Sequence, residues 1–316
     1  MLSRIDPKVD FAFKWLFGRE KNLPLLVHLL NAVLKPPAGA EIVSLELLNP
    51  FNEQDAANDK LSIVDVKARD LSGRQFDIEM QLLAERVFSK RILYYWADLH
   101  EQQLKEGEFY DRLRPTISIC ITNFSLFPET SDYCLVFELL NKEHGIVFSS
   151  DIKVITLELS KFKLEPNDIS SPLDAWLYFL CKGEELDSEH LPPALNRPEI
   201  CNALEELNML SHDDLERERY KARVRVQRDE QSRLHSWREE GLEEGRAEGL
   251  QKGLAEGLEK GLEKGREDGL KKGKADSIHL CQDLLKQTRT PLEKLSLLSI
   301  DELQVKVDEL KGELLK

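Results

Sequence analysis

The sequence predicts a mixed α/β domain followed by a long helical region, and three patterns carry that reading. Up to about residue 200, helical and strand-like apolar patterns interleave in the order α, β, β, β, α, β, β, β, α. Two of the strand runs, 61–69 and 75–83, flank the turn sequence DLSGR and read as a hairpin. Past residue 200 the chain becomes charge-dense, and from Gly241 to Gly273 a glycine recurs at every fourth position.

Taken in order, residues 10–35 read as helical: FKWLFG is followed by NLPLLVHLLNAVL, with Leu25, Leu26, Leu29, Leu30, Val33 and Leu34 on one face before Pro36 and Pro37 stop it. EIVSLELL (41–48) reads as a strand and 51–60 as polar loop. After the hairpin, residues 84–107 read as a long helix ending at Gly107, and RPTISICITNF (114–124) as a β-branched strand. DYCLVFELL and DIKVITLEL give two more strands, and SPLDAWLYFLCKG a short buried helix. The predicted divisions are a domain over 1–200, a charged helical linker over 201–240, the glycine-repeat segment over 241–273, and short capped helices over 274–316.

With 316 residues, 41% of them hydrophobic, the chain can bury a sizeable core. No apolar run is long enough to span a membrane, and the N-terminal stretch does not resemble a secretory signal. Five scattered cysteines without a C-x-x-C pair argue for reduced thiols and a cytoplasmic protein, and against a zinc ribbon or a disulfide scaffold. The net charge of −14 disfavours a nucleic-acid binder at first sight, but it is unevenly spread. Residues 1–114 carry 16 Lys/Arg against 18 Asp/Glu, and residues 115–200 carry 6 against 14.

The hairpin has carboxylates where its alternation would allow apolar residues. Asp77, Glu79 and Gln81 share one strand face, Phe76, Ile78, Met80 and Leu82 the other, and pairing through the turn would bring Asp65 near Glu79. Two carboxylates that close repel, and a divalent cation with oxygen ligands, such as Mg²⁺, relieves the conflict. Such a site can hydrolyse a phosphodiester. The pattern of an acid, a hairpin and then (Asp/Glu)-x-Lys is that of PD-(D/E)XK nucleases, with Gln81 in the lysine position, where an amide can orient water but not take a proton. The same face, with Lys67, also reads as the solvated side of a half-exposed hairpin. Spacing alone leaves both readings open.

A longer set of motifs goes further. DFAFKWLFG with LLNAVL, DKLSIVDVKARDLSGRQFDIEMQ, RILYYWADLHEQQLKEGEFYDRLRPTISICITNF, ITLELSKF and LDAWLYFL follow one another over residues 1–185. Together they resemble the recombination-promoting nucleases, also described as PD-(D/E)XK nuclease family transposases. That resemblance implies a restriction-endonuclease-like core and Mg²⁺-dependent DNA endonuclease activity leaving 3′-hydroxyl and 5′-phosphate ends, with a role in recombination or mobile elements. It assigns metal binding to Asp65 and Glu79, a further ligand to the main-chain carbonyl of Met80, and water orientation to Gln81. Lys14, Lys67, Arg86, Lys90 and Arg91 become candidate contacts to the DNA backbone, the last three on the helix after the hairpin. Asp10 and Phe13 could organise the site, while Phe13 and Trp15 read equally as core; Tyr94, Tyr95 and Trp96 read as packing against the sheet. The competing function is a catalytically weak DNA-binding or oligomeric regulatory protein on a nuclease scaffold.

Nine of the sixteen glycines fall in the four-residue repeat. Each costs a helix roughly 1 kcal/mol relative to Ala, so the pattern suits close approach by a second helix beside Leu242, Leu250, Leu254, Leu258, Leu262 and Leu270. A period above 3.6 residues would wrap such helices with a right-handed supercoil. The segment reads as a homo-oligomerisation arm or as a flexible, partly helical tether. Met209 ahead of it could serve as an internal translation start.

Overall fold

The computed structural model describes residues 5–49 and 66–315. The chain divides into two compact units, residues 1–231 and 232–316. The first holds a six-stranded mixed sheet built from β1 (Leu45–Leu47), β2 (Val66–Asp70), β3 (Gln75–Gln81), β4 (Thr116–Thr122), β5 (Cys134–Leu140) and β6 (Val147–Glu158), in spatial order β1-β2-β3-β4-β6-β5. β3, β4 and β6 run parallel; β1, β2 and β5 are antiparallel to their neighbours. A parallel pair needs a crossover, and β3 reaches β4 through α3 (Phe88–Glu101), a βαβ unit.

Alternation on β3 divides the two faces. Phe76, Ile78 and Met80 join Val66, Ala68, Ile119 and Leu157 in the main core. Over that core lie α1 (Asp10–Phe17), α2 (Leu23–Leu34), α4 (Pro172–Lys182) and α5 (Pro198–His212). Trp176 of α4 is fully buried there, its indole N–H donating to His28 Nδ1 at 2.8 Å. The opposite face meets α3 through a small cluster of Phe88, Ile92 and Cys120. One layer of helices is thus apolar toward the sheet, while α3 covers the face that bears the acids.

Several boundaries differ from the sequence reading, each for a local reason. The single helix expected over 10–35 is two, because Arg19 is extended and the Asn22 side chain donates to the Trp15 carbonyl, turning the chain before Pro24 starts α2. The helix expected over 84–107 is shorter; residues 82–87 are irregular and Val87 precedes it without a side-chain cap. Arg86 therefore sits before α3 rather than on it. The core also runs past residue 200, since Ile200, Ala203, Leu204, Leu207 and Leu210 of α5 and Tyr220 all belong to it. The Tyr220 hydroxyl accepts from the Asp6 amide at 3.0 Å.

The hairpin turn is fixed by Asp70, whose Oδ1 accepts from the amides of Ser72 and Arg74, both at 2.9 Å, while Arg74 Nε donates to Oδ2 at 2.7 Å. Gly73 completes it at φ +87°, and a Cβ there would meet Arg114 Cγ at 2.9 Å. Gly73→Ala is expected to lower the unfolding free energy by about 1–2 kcal/mol in urea titration, because both the left-handed backbone and the contact oppose a side chain.

The expected linker over 201–240 is divided: residues 201–212 belong to α5, while residues 214–240 and the glycine repeat lie in one helix, α6 (Asp214–Leu284). After it, α7 (Leu292–Ser296) and α8 (Ile300–Leu314) pack on its C-terminal turns through Ala275, Ile278, Leu295, Leu303 and Val307. α8 opens with a capping box, Ser299 and Glu302 bonding each other's amides, whereas α7 has no side-chain cap. Among the described residues, no helix is long and apolar enough to cross a membrane.

Candidate functional site

β3 places Gln75, Asp77, Glu79 and Gln81 in a row beneath α3. The face is not solvated: Asp77 is 3% exposed and Glu79 4%. The half-exposed hairpin weighed from sequence is therefore set aside for these residues. Lys67 on β2 is the register partner of Asp77, and its ammonium lies 3.7 Å from Asp98 of α3. On the other side, Ser118 and Cys120 of β4 are the register partners of Asp77 and Glu79.

Arg91, projecting from α3, organises the acids. Its Nη2 donates to Glu79 Oε1 at 2.6 Å and to Gln81 Oε1 at 2.8 Å; its Nη1 donates to both oxygens of Glu85 at 2.8 and 2.7 Å. The Gln81 amide nitrogen in turn donates to the Leu83 carbonyl and to Glu85 Oε1, both at 3.1 Å. One planar guanidinium thus joins three side chains, a geometry a lysine could not reproduce.

The electrostatics follow from this enclosure. Burial pushes the Glu79 carboxyl up, and the charge and hydrogen bond of Arg91 oppose it without cancelling it. Asp77 has no such clamp. Burial first, then the neighbouring Glu79, raise it to about 7 against a weaker opposing pull from Lys67. Its Oδ1 is buried without a hydrogen-bond partner among the described residues, as is Ser118 Oγ across the register. The Cys120 thiol is held far above its usual range by burial, with Glu79 and Asp77 adding to the effect, so it stays protonated and unreactive.

A raised carboxyl makes stability depend on pH in a definite direction. Between about pH 4 and 7 the folded chain holds the Asp77 proton more tightly than the unfolded chain does, so stability falls as pH rises through that window. The loss is on the order of 4 kcal/mol by linkage. Asp77→Asn is expected to be close to neutral at pH 4 and stabilising at pH 8. Urea unfolding in EDTA at the two pH values checks it, and equal effects at both would exclude an ionised, desolvated Asp77.

The residues singled out from sequence separate into distinct environments. Glu79, Met80 and Gln81 are on β3, with Met80 directed to the core. Asp65 lies outside the described residues. Lys67 and Arg91 are half-buried beside the acids, whereas Arg86 and Lys90 are exposed. Lys14 is buried on α1 among Phe13 and Trp15, both core residues. Trp96 donates to the Thr116 carbonyl at 2.8 Å and stacks on His100, so it packs against the sheet as expected. Tyr94 does not; it is 71% exposed because its position on α3 faces away. Glu85 and the desolvation of Asp77 were not anticipated. Glu85 follows the strand in irregular chain, and only the fold brings it to Arg91.

Among the described residues, no cluster of three His, Cys, Asp or Glu side chains is arranged to hold a metal. Apart from the protonated Cys120 thiol, the donors that line the acid row are carboxylate, amide and hydroxyl oxygens, which suit a hard cation such as Mg²⁺. The buried, unpartnered Asp77 Oδ1 on the same face as Glu79 is consistent with that chemistry.

No curated protein and no solved structure matches the chain significantly. Residues 7–236 match the family model described as PD-(D/E)XK nuclease family transposase. That span takes in the whole sheet, the acid row with its α3 cover, and α5. The chain belongs to the PD-(D/E)XK nuclease family transposases.

Proposed function

We propose that the protein is a Mg²⁺-dependent DNA endonuclease that hydrolyses phosphodiester bonds to 3′-hydroxyl and 5′-phosphate ends, in recombination or mobile-element biology. One observation supports it most: a strand of a nuclease-family sheet buries the Glu79 carboxylate beside Gln81 under a cationic clamp. Asp65 and Glu79 would hold the metal, with the Met80 carbonyl as a further ligand. When bound, the cation would lower the pKa of a coordinated water and offset charge on the phosphate.

The chain's own groups have separate tasks in this reading. Glu79 supplies negative charge in a site where water competes little. Gln81 orients the attacking water through its amide, once that amide exchanges a partner in the Arg91 and Glu85 network. Arg91 opposes, with its charge and its hydrogen bond, the rise that burial imposes on the Glu79 carboxyl. Lys90 and Arg86 are exposed and would meet DNA phosphates, with Lys67 nearer the scissile group.

The Arg91 clamp favours a second reading as well. A guanidinium already neutralises Glu79, and Gln81 cannot take a proton, so the fold could serve as a DNA-binding scaffold of weak activity. Plasmid nicking by wild type and Asp65→Ala, with Mg²⁺ and with EDTA at low salt, separates the two. Cleavage that requires both the metal and Asp65 supports the nuclease. Binding without cleavage by either protein supports the scaffold.

The repeat of α6 is proposed to be a self-association arm. Its glycines have open space where a Cβ would stand, and its leucines are solvent-exposed, from 46% at Leu270 to 67% at Leu254.

A further inference from the structure

We infer that two copies of the chain pair through the repeat in antiparallel orientation, a step that rests on the self-association reading above. The leucine row immediately follows the glycines. From residue 242 to residue 270 it reads Leu, Arg, Leu, Leu, Leu, Leu, Arg, Leu, the same in both directions about Glu256. An antiparallel pair centred there sets Leu250 opposite Leu262 and Leu254 opposite Leu258 of the second copy, leaving no leucine against an arginine. The helices α7 and α8 of the same unit do not cover this row, because they pack at Ala275 and beyond.

Charge chooses between the two orientations. Residues 239–248 carry Glu239, Glu240, Glu243, Glu244 and Glu248 against Arg246 alone. Residues 264–273, their counterparts across the centre, carry Lys264, Arg266, Lys271 and Lys272 against Glu267 and Asp268. Parallel pairing would stack the acidic ends on each other. Antiparallel pairing sets the acidic end of each copy on the basic end of the other, and it does so twice by symmetry. In this register Glu240 faces Lys272 and Glu248 faces Lys264 of the second copy, while Arg246 meets Arg266 and Glu244 meets Asp268, so the preference comes from the net charge of the two ends.

The leucine row itself winds. A four-residue step advances about 40° around the helix, so the four central leucines span about 120° and hold contact only if the helices wrap with a right-handed supercoil. The bare glycine edge beside them lets the two backbones approach.

Light scattering of the full chain over a concentration series, with charge-reversal variants, tests the orientation. Changing Glu243, Glu244 and Glu248 together to Lys sets basic ends on basic ends, and changing Lys264, Lys271 and Lys272 together to Glu does the converse. Each set alone is expected to weaken the dimer about tenfold or more, and the chain carrying both sets to regain it. A parallel pair keeps like charges facing in every variant, so unchanged affinity would overturn the orientation and leave self-association standing. Leu254→Lys with Leu258→Lys is expected to give monomers, and a persisting dimer would place the interface elsewhere and overturn the proposal. A monomeric wild type at high micromolar concentration would overturn both the proposal and the reading beneath it.

Discussion

Glu79→Gln is expected to abolish metal-dependent plasmid cleavage, by about a thousandfold or more, while leaving DNA retention on a gel-shift assay unchanged. The substitution is nearly isosteric and keeps an oxygen for the Arg91 bond, so the strand and its register with β4 should persist. What it removes is the charge a cation would meet, and such charge stabilisation is worth several kcal/mol at the transition state. Circular dichroism and a melting scan should match wild type. A variant that still cuts would exclude Glu79 as a metal ligand and return the acid row to a structural role. Loss of cleavage together with loss of fold would implicate the clamp instead, which a second substitution addresses.

Arg91→Leu is expected to be the most destabilising single change at the site, costing about 3–5 kcal/mol near neutral pH. It strands a carboxylate that is 4% exposed without its counter-charge and leaves Gln81 and Glu85 each short of a donor. Burial, with the Glu85 charge adding to it, would then govern Glu79, so its carboxyl would rise further, and the cost should shrink as pH falls toward 4. Arg91→Lys should recover little, since one ammonium cannot span Glu79, Gln81 and Glu85 as the planar fork does. Combining Glu79→Gln with Arg91→Leu should cost clearly less than the two changes summed. Additive losses in urea titration would mean that the pair contributes no mutual stabilisation.

The hairpin was legible because alternation is a local property: Phe76, Ile78 and Met80 had to share a face, and Asp77, Glu79 and Gln81 the other. What sequence could not say was whether the acid face met water. That depended on α3, whose Phe88 and Ile92 seat it over Cys120 and bring Arg91 down onto Glu79. The strand order was equally hidden, because β6 inserts between β4 and β5 on tertiary grounds alone. Composition suggested an end to the domain near residue 200, where charge begins to rise, yet the apolar spacing of Ile200, Ala203, Leu204 and Leu207 already marked a helix facing the core. The glycines of α6 had suggested a helical self-association arm or a flexible, partly helical tether. In the structure the repeat is helical throughout, against the low helix propensity of its glycines.

The parallel pairing of β3 with β4 has a consequence for the order in which the protein assembles. β2 and β3 meet across a short turn and can associate early, whereas Gln75 must find Thr116 on the far side of α3. Closing that long connection is the slower event. Until it happens, Asp77 and Glu79 remain hydrated and impose no desolvation cost on the nascent hairpin. The acids become a burden only when α3 and β4 close over them, the same step that delivers Arg91. A chain stalled before it would have its hairpin and lack its charged centre, so the buried acid row should appear late in refolding, after most of the secondary structure has formed.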